Sequence, residues 1–130
     1  MADQDTQPRP SMDFAHELIS SRRVEGTPVY NQEDEKLGTI ASVMIEKRTG
    51  KVAYAVMSFG GFLGMMERVH PIPWDLLTYD IDRDGYVVDL TRDVLKDAPS
   101  MNLDDADRPT DRAYAEEVSS YYGRLPWWGL

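Results

Sequence analysis

The chain has 130 residues, 42% of them hydrophobic, and no cysteine; this is one domain's worth with room for tails, and it excludes disulfide staples, thiolate zinc sites and a cysteine nucleophile. Fourteen basic against 23 acidic side chains leave a net charge of −9, which repels nucleic-acid phosphates unless a basic patch is set apart, and Arg22-Arg23 and Lys47-Arg48 are the only basic pairs. No apolar run approaches the eighteen or so residues of a membrane span, and the opening MADQDTQPRPSMDF lacks the basic and apolar stretches of a signal peptide, so a cytoplasmic location is expected.

Residues 1–19 carry a net charge of −3, contain Pro8 and Pro10 and show no periodicity, so they are expected to form a disordered acidic arm. From Ser20 the texture changes to short β-rich runs separated by turn signals. Val29-Tyr30 is one run, and Gly38 to Glu46 reads as a long strand. Arg48-Thr49-Gly50 suits a tight hairpin loop with Gly50 at positive φ. Val52 to Phe59 pairs back. Ala53, Ala55, Met57 and Phe59 fall on one face, and Val52, Tyr54, Val56 and Ser58 on the other. Both faces are largely apolar, as in a strand curled into a small barrel. Val69 to Pro73 is a short strand that Pro71 and Pro73 restrict to an edge or a bend. Leu76 to Ile81 and Tyr86 to Leu90 flank a second turn, Asp82-Arg83-Asp84-Gly85. Strands at such spacing with tight turns indicate an all-β barrel or sandwich over residues 20–99. Residues 100–130 change period: Thr110 is a candidate N-cap, Gly123 a C-cap, and Tyr114, Val118, Tyr121 and Tyr122 share a helical face near 110–122.

The run VEGTPVYNQEDEKLGTIASVMIEKRTGKVAYAVMSFGGFLGMMERVHPIPWDLL resembles the PRC-barrel family. The resemblance rests on Gly26 and Val29, Leu37-Gly38, Ile40, Thr49-Gly50, Tyr54-Ala55-Val56, Gly60-Gly61-Phe62-Leu63-Gly64, Pro73-Trp74 and Ala98-Pro99, which fall in order at fitting spacing over about residues 20–99. It implies a small, strongly curled β-barrel similar to the cytoplasmic domain of the photosynthetic reaction-centre H subunit. A ribosome-maturation factor carries the same kind of domain beside another one. The resemblance implies no catalytic residues, and fold alone does not give function.

Several stretches carry candidate chemistry. The glycines at 60, 61 and 64 lack the lysine, the hydroxyl residue and the following helix that a phosphate loop needs. His70 has no evident orienting partner, so it reads as a rim or structural histidine rather than a general base; His16 falls in the acidic arm. Asp80, Asp82 and Asp84 open like a calcium loop, but position twelve is Thr91 rather than a bidentate Glu, so they remain weak metal candidates beside a plain hairpin turn. No cofactor and no small-molecule substrate are expected. Phe62, Leu63, Met65 and Met66 in a loop, with Tyr114, Tyr121, Tyr122, Trp127 and Trp128 in the tail, are the candidate interaction residues. They favour a non-enzymatic interaction or assembly module that pairs with itself or with another protein. An RNA-processing or ribosome-associated factor is the alternative, which the acid balance opposes. A photosynthetic or electron-transfer assembly factor is a further one.

Overall fold

The computed structural model describes residues 17–59, 68–105 and 111–129. In chain order the elements are α1 (Ser21–Val24), β1 (Pro28–Tyr30), β2 (Lys36–Ile45), β3 (Val52–Phe59), β4 (Arg68–Pro73), β5 (Thr78–Asp80), β6 (Gly85–Val87), α2 (Arg92–Lys96), β7 (Met101–Asn102) and α3 (Arg112–Tyr122). The strands form one seven-stranded sheet in the order β5-β6-β1-β2-β3-β4-β7. All pairs are antiparallel except β1 with β6. The all-β class expected from the sequence is therefore present, with the helix appended at the C-terminal end. Among the described residues β5 and β7 are the edges, and no strand pairing closes the sheet into a barrel.

β2 and β3 are the spine. Their register shifts between Ile40 and Ser42 and between Met44 and Ile45, and such bulges bend a strand and increase its twist. The curl encloses Val24, Val29, Leu37, Ile40, Ala55, Met57, Ile72, Tyr86, Val88 and Leu95. Gly38 sits where β2 passes closest to β3: a Cβ there would run into the Ser58 carbonyl oxygen. The β2–β3 turn is held by the Glu46 carboxylate, which accepts from both the backbone N–H and the hydroxyl of Thr49 at 2.8 Å, and Gly50 takes φ 79° as expected.

Both faces of β3 are used, for different reasons. Ala55 and Met57 point into the curl. Tyr54 points the other way and packs on Ala115 and Val118 of α3, and Val56 joins Val69 in a third cluster. The prolines of β4 are confined to an edge or a bend, and among the described residues the stretch they occupy is paired on one side only. The strand lies between β3 and β7, but β7 reaches only Arg68 and Val69. Pro71 and Pro73 lie beyond it, so the N–H groups they lack are not needed by that neighbour. α3 packs against β4.

The α3 cap is Asp111, one residue after the expected Thr110, which lies outside the described residues. The Asp111 carboxylate accepts from the Tyr114 N–H at 2.9 Å. Gly123 ends the helix in the left-handed region at φ 68°, where a side chain is strained.

Candidate interaction surface

His70 is enclosed in β4. One ring nitrogen donates to the Pro99 carbonyl, while Nδ1 is buried with no partner among the described residues. The Phe59 ring meets the imidazole edge-on at 5.4 Å. Burial pushes its pKa below the ordinary histidine value, the Pro99 hydrogen bond opposes that shift, and the Arg68 charge adds to it. Among the described residues no carboxylate is hydrogen-bonded to the ring to orient it as a general base, and the side chain is buried.

Two of the three carboxylates of the acidic turn, those of Asp80 and Asp84, are engaged by the chain itself. Asp80 Oδ1 accepts from the Asp82 N–H at 3.0 Å, and Oδ2 lies 3.4 Å from Arg83 Nε. Asp84 accepts from the Tyr79 hydroxyl and pairs with Arg23 at 3.7 Å. Asp84, not Gly85, supplies the positive-φ position, at 54°. Among the described residues no three His, Cys, Asp or Glu side chains converge as a metal set.

The tail folds back on its own sheet. Tyr114, Tyr122 and Trp128 pack around Tyr54, Ala115 and Val118. The hydroxyls of Tyr54, Tyr114 and Tyr122 are buried without a partner among the described residues. Burial is the main cause that raises each of these phenols above its ordinary pKa, with Tyr54 reaching about 12. The Tyr121 hydroxyl donates to the Val94 carbonyl at 2.6 Å. Trp127 meets the Tyr54 ring edge-on at 5.9 Å, and the Arg112 guanidinium lies 4.3 Å above the Trp128 ring. Of the candidate interaction residues, Tyr114 and Tyr122 thus serve the chain itself. Tyr121 and Trp127 remain 40% and 38% exposed, beside Leu125 at 74%. Phe62, Leu63, Met65 and Met66 lie outside the described residues.

The tail also builds a cleft that the sequence did not single out. Its volume is about 550 Å³, between the β2–β3 turn, Trp74 and residues 125–129. Arg48, Lys51 and Arg112 line it. None of the three forms an ion pair among the described residues; at Glu46 the Arg48 backbone N–H and the Arg48 charge are the two smallest of several effects. Arg112 reaches Arg48 and Lys51 from a distant part of the chain, so only the Lys47-Arg48 pair offered any signal. Among the described residues no helix is long and apolar enough to cross a membrane.

An open curled sheet with a docked C-terminal helix and an aromatic cleft defines a small β-sheet domain. Residues 16–95 match the PRC-barrel domain, which is more than half of the chain, and the protein belongs to the PRC-barrel family. An uncharacterized protein of Deinococcus radiodurans is 27% identical over 81 residues; the match covers 62% of this chain and 28% of that relative. The chain therefore spans well under a third of that relative's length. Among solved structures, the chain is similar to a protein of Pseudomonas aeruginosa described as the 16S ribosomal RNA processing protein RimM, at 23% identity and a TM-score of 0.37, covering 67% of this chain and 50% of that one. At that overlap the likeness carries no argument, and the family rests on the sequence match.

Proposed function

We propose that this PRC-barrel chain is a non-enzymatic interaction module that self-associates through the surface around its C-terminal aromatic segment. The observation that carries this reading is the split behaviour of the tail. Its tyrosine face is spent on the chain's own sheet, yet Leu125 and Trp127 stay exposed beside a cleft. Exposed aromatic residues at a hollow are the usual anchors of protein contacts. The enclosure of His70 and the internal engagement of Asp80 and Asp84 support the non-enzymatic half of the reading.

Sedimentation velocity of the full chain at rising concentration tests it. We expect a dimer at high micromolar concentration that Leu125→Ser and Trp127→Ser shift toward monomer. A monomer throughout that range overturns the reading. Salt-sensitive binding to ribosomal particles, with no self-association, would replace it with the ribosome-associated alternative.

A further inference from the structure

We propose that the cleft beside Trp127 receives the Asp80-Ile81-Asp82 turn of a second copy of this chain. This inference rests on the self-association reading above and names the two surfaces that meet. The turn carries an exposed apolar side chain between two carboxylates. Loop tips are normally polar, yet Ile81 stands at the β5–β6 turn with 52% of its surface exposed. It is flanked by two carboxylates. The Asp80 carboxylate is engaged within the turn and with Arg83. Asp82 has no hydrogen bond or ion pair to its carboxylate among the described residues, its backbone N–H alone being used.

The cleft offers the complementary chemistry. Val52, Trp74, Leu125 and Trp127 offer apolar walls, and Arg48, Lys51 and Arg112, which form no ion pair among the described residues, outnumber the cleft's two carboxylates, Glu46 and Asp75. A volume of about 550 Å³ holds one aliphatic side chain with its neighbours. Two copies of net charge −9 repel each other at long range. Contact therefore needs a local group of cations facing local carboxylates, and this arrangement supplies it.

The two surfaces are also side by side. Asp75 lines the cleft, and it lines the neighbouring hollow formed with Asp80, Ile81 and Asp82. A twofold axis near Asp75 would let each copy give its turn and receive the other's. Such a contact is closed and self-complementary, so it stops at a dimer.

Sedimentation velocity on charge-swapped full-length variants tests the pairing, with circular dichroism confirming that each is folded. Arg48→Glu with Lys51→Glu, and Asp82→Lys alone, should each weaken the dimer about tenfold or more, and combining them should recover most of that loss. Ile81→Ser, which leaves charge unchanged, should weaken it as well. Lys96→Glu, at a residue lining neither hollow, should leave the constant within about twofold, since long-range charge is screened. A dimer indifferent to Asp82→Lys and Ile81→Ser overturns the pairing and leaves self-association standing through another face. Weakening by each reversal without recovery in the combination also overturns it. A wild-type monomer removes both the pairing and the reading beneath it.

Discussion

At the scale of single residues, His70 is a buried titratable group whose surroundings set its charge. Its ring is bounded by Phe59, by the Pro99 carbonyl and by the charge of Arg68. Desolvation disfavours the imidazolium, so its pKa in the folded chain lies below the unfolded value of about 6.5. Between those two pKa values the unfolded chain binds more protons than the folded one. The stabilising contribution is therefore intact above about pH 6.5 and is lost as the pH falls through the folded-state pKa. Urea denaturation of wild type and His70→Gln across pH 7.5 to 5 checks this. The uncharged amide keeps a donor for Pro99 but does not titrate. The stability of the wild type should fall more steeply on acidification than that of His70→Gln, the carboxylates being common to both. Parallel curves would mean that the ring accepts a proton without cost and is not enclosed.

At the scale of elements, α3 is held by a small set of contacts separate from the main core. Ala115 and Val118 are fully buried against Tyr54. Val118→Ala removes two buried carbons and leaves a void that the short helix only partly fills, which should cost about 1.5–3 kcal/mol. Equilibrium urea unfolding measures this; a loss under about 0.5 kcal/mol, typical of a surface change, would show the helix undocked in solution. The amphipathic pattern announced this helix, but not which surface it would cover. Tyr54 alternates with Ala55 along β3, and a period of two cannot say what lies on the outer face. β2, β3 and their Gly50 turn were legible because long apolar strands and a positive-φ glycine are local signals. α2 was missed although Thr91 caps it, its hydroxyl accepting from the Val94 N–H at 3.1 Å; five residues are too few to show a helical period. β7 is two residues long and has no period at all. Its pairing with β4 is a tertiary event, and so is the meeting of Arg48, Lys51 and Arg112 at the cleft.

At the scale of the whole molecule, two electrostatic effects compete. The chain carries net charge −9, spread over the arm, the sheet domain and the tail. Compaction brings like charges together, and salt relieves that repulsion. Against it stand the ion pairs Arg23–Asp84, Arg92–Glu35, Lys96–Asp93 and Arg124–Asp75, all with well-exposed partners. Exposed pairs contribute about 0–1 kcal/mol each, many of them nothing measurable, and salt weakens them. Raising ionic strength from about 0.02 to 0.3 M shortens the screening length from about 20 Å to under 6 Å. The first length spans much of a domain this size, so charges across the molecule repel; the second confines each charge to its neighbours. The repulsion released should reach about 1–2 kcal/mol and exceed what the exposed pairs lose. The melting temperature of dilute protein, kept below the range where copies associate, should therefore rise by several degrees between these salt concentrations. Sodium chloride suffices as the probe, since repulsion of this kind depends on ionic strength and not on a bound ion. A melting temperature that falls with salt would place the ion pairs above the net charge as the stronger term.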